Sequence, residues 1–263
     1  MDQFPRQIVE TQGGPVSFRE AGSGPVLFLA HGIGGNSRSW RLQFSGLANK
    51  FRLVAWDAPG YGESVVRPPS LAGYAGAVVD LFDSLGIETA HVLGHSMGGL
   101  VAQGVAGLHC ARVGRLILSS TFAGDAEPMD RPLTGSWKAR LDERASMSDV
   151  EFGTARAAGM VASSASAEVR AEAAEIAGEV THPGLEGGCL LLQQSDTRPL
   201  ARRFSMPVLS ITGCEDNVIP RTSSDEVADL IADCRTREIP GVGHAAYFED
   251  PVAYNECLVD FLF

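Results

Sequence analysis

The chain has no Cys-x-x-Cys pair, no excess of basic residues and no long hydrophobic run. Each absence removes a class of function. The five cysteines (Cys110, Cys189, Cys214, Cys234, Cys257) are scattered and odd in number. They read as reduced, mostly buried thiols rather than as a metal site or disulfide framework, which fits a cytoplasmic location. Lys and Arg total 21 against 32 Asp and Glu, a net charge of -11. With no basic footprint to neutralise phosphates, a nucleic-acid partner is not expected. The longest apolar stretches, such as Pro25 to Ala30, are strand-sized and far too short to span a membrane. The N-terminal residues lack a basic region followed by an apolar one, so no signal peptide is expected. No repeat at solenoid or propeller periods is visible.

What is present is a chain of 263 residues, 44% hydrophobic, long enough for one sizeable core. Strand-like runs at Val16–Phe18, Pro25–Ala30, Arg52–Trp56, His91–Leu93 and Arg115–Ser119 alternate with helix-like ones. Among the latter, Leu71 to Leu85 places Val78, Leu81, Phe82 and Leu85 on one face, with Gly86 where a C-cap belongs. Alternating strands and helices with apolar strands predict a parallel sheet covered on both faces. From about Asp125 to Arg203 the strands stop and the sequence becomes rich in Ala, Glu, Arg and Met. Strand Val208–Thr212, a helix over Ser223–Ala232, strand Arg235–Ile239 and a final helix over Val252–Phe263 resume the pattern. The expected organisation is an α/β core over residues 1–124 and 204–263, with a helical cap over 125–203 above the strand ends, where open parallel sheets bind ligands.

The chemistry centres on Gly94-His95-Ser96-Met97-Gly98, between a strand and a helix. A sharp strand-to-helix turn lifts the central serine oxygen clear of the sheet, and small residues two positions either side let strand and helix pack closely. It also puts the Met97 amide at a helix N-terminus, where its N–H can hold a developing oxyanion. A serine hydroxyl needs a base. Of six histidines, His244 follows a strand-like run and precedes the last helix, so its loop opens on the same sheet edge as Ser96. His31 and His95, beside glycines at strand ends, read as structural, and His91, His109 and His182 have no chemical context. The carboxylate that orients the base is expected just past a strand end, where Asp216 and its neighbour Glu215 are the candidates. Ser, Asp, His is also the chain order expected where the serine sits on a strand-to-helix turn of this kind. The second oxyanion donor is expected from His31-Gly32-Ile33-Gly34-Gly35, at the N–H of Ile33, with Gly32 allowing close approach to the substrate.

Together with Trp56-Asp57-Ala58-Pro59-Gly60-Tyr61-Gly62-Glu63-Ser64, these motifs resemble the α/β-hydrolase family along essentially the whole chain. The motif Gly213-Cys214-Glu215-Asp216-Asn217-Val218-Ile219-Pro220 favours Asp216 over Glu215, because that is where the family carries its acid. Within the family the chain looks most like 3-oxoadipate enol-lactonases and hydrolases of aromatic ring-cleavage products, partly through Leu190 to Leu200. His95 stands where carbon–carbon hydrolases carry asparagine, and their longer oxyanion loop is replaced by Gly34-Gly35-Asn36-Ser37. Serine as nucleophile also separates the chain from epoxide hydrolases and haloalkane dehalogenases, which use a carboxylate.

The resemblance implies hydrolysis of a small ester or lactone, with or without a carboxylate, with no metal or organic cofactor and in a monomer or homodimer. A carbon–carbon bond hydrolase, a perhydrolase and a non-enzymatic ligand receptor on the same fold remain the alternatives. Specificity is expected in the cap, where Trp137 is a candidate pocket wall. Arg131 and Arg156 are the cap candidates for substrate binding, and Arg140, Arg144 and Arg170 are further cations able to clamp a carboxylate.

Overall fold

The structure, a computed structural model, describes residues 3–263. Its strands are β1 (Gln7–Thr11), β2 (Gly14–Ala21), β3 (Val26–Ala30), β4 (Arg52–Trp56), β5 (Ala90–His95), β6 (Val113–Ser119), β7 (Val208–Gly213) and β8 (Cys234–Ile239). They form one sheet in the order β1-β2-β4-β3-β5-β6-β7-β8. All pairings from β4 to β8 are parallel. The β1–β2 and β2–β4 pairings are antiparallel, so the sheet is mostly parallel rather than wholly so.

Strand β1 has no counterpart among the segments read from the sequence. Its side chains are largely exposed on both faces, so no hydrophobic alternation marks it. It is held as an edge by a hairpin in which Gly14 adopts φ 106°, a conformation suited to glycine.

Helices α1 (Arg41–Leu47), α2 (Leu71–Ser84), α3 (Met97–Leu108), α9 (Arg221–Asp229) and α11 (Pro251–Leu262) cover the sheet. Strand β3 illustrates how both faces are used, since successive side chains point opposite ways. Phe28 packs into the cluster that holds Trp56, Val78, Phe82 and Val101. Its neighbours Leu27 and Leu29 pack into the cluster with Phe44, Leu93, Tyr254 and Leu258. Each such fully buried side chain stabilises by about 1.5–3 kcal/mol. Helix α2 begins where Ser70 accepts from the Gly73 N–H and ends before Gly86 at φ 65°, the residue placed there from the sequence.

Between β6 and β7 lie α4 (Gly135–Ser146), α5 (Asp149–Met160), α6 (Ala167–Gly178), α7 (His182–Gln194) and the short α8 (Arg198–Ala201). Helix α7 has both an N-cap and an early proline. Thr181 caps it and Pro183 sits in its first turn, where the missing N–H costs nothing. A further short helix, α10 (Ala246–Glu249), follows the His244 loop. Among the described residues, no helix is long and apolar enough to cross a membrane.

The direction of strand progression reverses between β3 and β5. From β3 the chain moves to β4 on one side, and from β5 to β6 on the other. The loops leaving the carboxyl ends of these two neighbours diverge and open a crevice. Those loops carry Gly32–Gly35 and Ser96.

Candidate active site

Ser96 lies between β5 and α3 with φ 53° and ψ -117°, a region L-residues seldom occupy. Its backbone is fixed from several sides. Ser96 N donates to Ser119 O at 2.9 Å, and Ser96 O accepts from Gly99 N and from Thr121 Oγ1, both at 2.8 Å. The glycines either side are sterically required. A Cβ on Gly94 would lie 2.1 Å from the Gly98 carbonyl oxygen, and one on Gly98 would lie 2.1 Å from that of Ala30. A Cβ on Gly32 would come within 3.2 Å of Ser96 Cβ, so this loop lies directly against the serine.

Met97 opens α3, so its N–H has no carbonyl one turn back to bond. Across the crevice, Gly35 N donates to Gly32 O at 2.9 Å and closes a tight turn with Ile33 and Gly34 at its crown. Two aromatic rings brace that turn. Tyr61 Oη donates to Ile33 O at 2.9 Å, and the Tyr61 ring meets His31 edge-on at 4.8 Å. His31 Nε2 accepts from Ala58 N at 3.0 Å, which leaves Nδ1 to donate to Gly32 O at 2.8 Å. Burial lowers the His31 pKa, against weaker upward pulls from Gly32 and Asp57. His31 is thus a neutral strut. The carboxylate of Asp57, fully buried, accepts from Ser37 N at 2.7 Å and Ser17 Oγ at 2.6 Å. The Trp56–Ser64 motif therefore works as scaffolding beneath the Ile33 turn.

His244 is 4% exposed, and its Nδ1 lies 2.9 Å from Asp216 Oδ2. A carboxylate only accepts, so Nδ1 carries the proton and Nε2 keeps its lone pair. The other Asp216 oxygen accepts from Val218 N at 2.8 Å and Ile219 N at 3.0 Å. Burial pushes the Asp216 carboxyl up, but the hydrogen bond and charge of His244 and these two N–H groups outweigh it and hold the acid below its ordinary value. Glu215 is exposed and its side chain meets neither residue. The His95 ring is tilted against that of His244, 4.6 Å between centroids, and meets Tyr247 edge-on at 4.9 Å. Burial, reinforced by the neighbouring His244, lowers its pKa well below the ordinary value, so it packs against His244 as a neutral ring.

Ser96, His244, Gly32 and Ile33 line one cavity of about 440 Å³, within the usual range for small-molecule sites. Helices α4 and α5 supply its outer wall through Trp137, Arg140, Phe152, Arg156 and Met160. Trp137 Nε1 donates to Asp125 Oδ2 at 2.7 Å. Arg156 reaches Glu143 at 2.8 Å. Arg131 is not among the lining residues. It is exposed, in the loop before α4, and is turned into an i, i+4 ion pair with Glu127. The structure thus places Arg131 off the cavity wall that Trp137 and Arg156 help to form.

One residue had no sequence signal at all. Glu249, in α10, accepts from Gly243 N at 2.9 Å and from Ala162 N at 2.7 Å. The adjacent Ala245 N donates to Met160 O at 3.0 Å. The His244 loop is thereby tied to the end of α5, which lines the cavity. Burial raises the Glu249 pKa, although the N–H groups of Ala162, Gly243 and Ala245 oppose the shift.

The chain belongs to the α/β-hydrolase family, whose family model, described as alpha/beta hydrolase fold, matches residues 25–251. Over nearly its full length it is similar to a putative carbamate hydrolase of Pseudomonas savastanoi pv. phaseolicola, 28% identical and covering 90% of this chain and 93% of that one. It is also similar to 3-oxoadipate enol-lactonase 2 of Acinetobacter baylyi, 26% identical over 89% of this chain and 87% of the other. The crystal structure of the enol-lactonase from Burkholderia xenovorans shares the fold with a TM-score of 0.85, 24% identity, and coverage of 97% and 99%. A shorter match, 44% identical over 107 residues, links the chain to an uncharacterised protein of Mycobacterium tuberculosis. That match spans 40% of this chain and about a third (31%) of the relative's length.

Proposed function

We propose that this protein hydrolyses a carboxylic ester or lactone through Ser96, His244 and Asp216. The observation that carries the reading is the serine in a strained turn sharing a small cavity with an imidazole whose Nδ1 is held by a buried carboxylate. In the reaction His244 Nε2 takes the Ser96 proton as Oγ attacks the carbonyl carbon. The N–H groups of Ile33 and Met97 hold the resulting oxyanion. Collapse breaks the carbon–oxygen bond, and His244 gives its proton to the departing oxygen. Water, deprotonated by His244, then attacks the acyl-enzyme and releases the acid. In a lactone the departing oxygen stays tethered to the acyl group, so the product is one hydroxy or oxo acid.

Residues 125–203 serve as a cap that selects the acyl group. The motif likeness to enol-lactonases supports an enol-lactone as one natural substrate type, and the carbamate-hydrolase relative supports a neighbouring acyl chemistry on the same machinery. The test is hydrolysis of p-nitrophenyl butyrate by wild type and Ser96→Ala. Wild type turns the ester over, and the variant falls by a factor on the order of 10⁵ or more. Equal activity in both overturns the reading. Absence of turnover and of phosphonate labelling in the wild type points instead to a ligand receptor.

A further inference from the structure

The cap helices α4 to α6 carry five cations, and four of them have acceptors within the protein. Lys138 pairs with Asp142 at 2.7 Å, Arg144 with Asp149 at 2.7 Å, and Arg156 with Glu143 at 2.8 Å. Arg170 donates to the carbonyls of Ala162, at 3.0 Å, and Ser163, at 2.6 Å. Arg140 stands apart. It makes no ion pair or hydrogen bond with any described residue, and its buried Nε has no partner. Its guanidinium lies over the Trp137 ring, 5.3 Å from the centroid, and it lines the same cavity as Ser96 and His244.

A half-buried guanidinium whose Nε is out of water and unpartnered carries a desolvation cost that a bound anion would offset. Burial lowers the Arg140 pKa. The groups nearest its charge do not compensate. Burial raises the Cys189 pKa to about 11 and pushes that of Tyr61 well up, so both stay neutral. Glu143 is already engaged by Arg156, which is itself a like charge. Among the described lining residues the one carboxylate, Asp125, is engaged by Trp137 Nε1, which leaves the Arg140 guanidinium without a paired acid. Its donors form a planar fork, held against an aromatic face and matched to a carboxylate.

We propose that Arg140 anchors a carboxylate carried by the acyl substrate, which makes the substrate class an anionic ester or lactone: a half-ester, or a lactone with an acid side chain. The assignment rests on the hydrolase reading above. The anion occupies the far end of the cavity from Ser96 while the scissile carbonyl lies at the Ile33 and Met97 amides. Arg140 donates both fork hydrogens to the carboxylate oxygens, and Trp137 keeps the guanidinium plane fixed. Arg156, tethered to Glu143, adds positive potential without being the primary anchor.

Two esters with the same leaving group and similar acyl length test this: mono-p-nitrophenyl glutarate, which is anionic, and p-nitrophenyl butyrate, which is neutral. Wild type favours the anionic ester in kcat/KM. Arg140→Gln lowers the anionic-to-neutral ratio by about 10- to 100-fold, the size expected for losing a charge-assisted pair. Arg140→Lys, which keeps the charge and loses the fork, falls between them. Lys138→Gln removes an exposed cation from the same helix and leaves the ratio as in wild type. A ratio that ignores Arg140, or falls equally in Lys138→Gln, overturns the proposal. Glutarate binding, followed by tryptophan fluorescence, separates this claim from the catalytic one. Arg140-dependent binding in a protein that turns over neither ester overturns the hydrolase reading and keeps the anion site. The absence of Arg140-dependent binding in an active enzyme overturns the anion site alone.

Discussion

The strand ends and the cap hold their functional side chains by different means. At the strand ends position is set by backbone. Ser96 is locked by three backbone-directed hydrogen bonds and by glycines whose replacement would drive a Cβ into a carbonyl oxygen. In the cap, position is set by pairs of long side chains on half-exposed helices, such as Arg156 with Glu143 and Arg144 with Asp149. Backbone constraints tolerate almost no substitution, whereas partly exposed ion pairs are each worth little and can be rearranged. On the proposed reading, a fixed reaction centre lies beneath an adjustable selector.

The same difference decides what is legible in the sequence. Gly94 and Gly98 are required by contacts within one turn, so a five-residue motif exposes them. Asp216 and His244 each follow a strand, and strands β7 and β8 are apolar or bounded clearly enough to be found. Arg140 and Arg131 look alike as letters. What separates them is whether an acid lies within reach in space, and Glu127 answers for Arg131 while nothing does for Arg140. Glu249 is invisible for a related reason: its partners Gly243 and Ala162 offer backbone N–H groups, which no side-chain pattern records. Strand β1 is silent in the sequence because its largely exposed faces carry no hydrophobic alternation.

The sharpest contrast between the regions comes from paired changes. Asp216→Asn keeps the shape but disturbs the imidazole tautomer, and kcat for an activated ester is expected to fall about 10⁴-fold. Glu215→Gln, one residue away and exposed, is expected to leave kcat within about twofold. Steady-state kinetics on the two variants checks this directly.

Glu249 joins the two regions, and its removal tests the seam. Glu249→Ala leaves the Gly243 and Ala162 N–H groups without their acceptor, and denaturant unfolding is expected to show a loss of about 2–4 kcal/mol. The variant should also lose kcat through the loosened His244 loop. In wild type the Glu249 carboxyl has a pKa raised by folding, so its contribution to stability is fully present below the ordinary glutamate value of about 4.3 and is lost as pH rises through the folded value. Asp216 has the opposite sign, its contribution being present above the ordinary aspartate value of about 3.9 and lost as pH falls through the lowered folded value. Thermal melts across the acid range should therefore show wild type gaining on Glu249→Gln as pH drops from 7 toward the ordinary glutamate value. Parallel curves would remove Glu249 from the account.

The strain at Ser96 predicts a smaller effect. With φ at 53°, Ser96→Gly should be about 1 kcal/mol more stable than Ser96→Ala, although both lack the nucleophile. Smallest of all are the exposed cap pairs. Asp142→Asn, which breaks the Lys138 pair, should change stability by about 0.5 kcal/mol or less, with the shift vanishing in high salt.

The central claim is that Ser96 is a nucleophile activated by His244 within one cavity. The most direct measurement is mass spectrometry after treatment with a fluorophosphonate, on wild type and on His244→Ala. The account predicts one adduct per wild-type chain, mapped to the peptide containing Ser96, and a labelling rate at least a hundredfold slower, on the order expected for loss of the general base, in His244→Ala. An adduct on another residue, or equal labelling of both proteins, would contradict it.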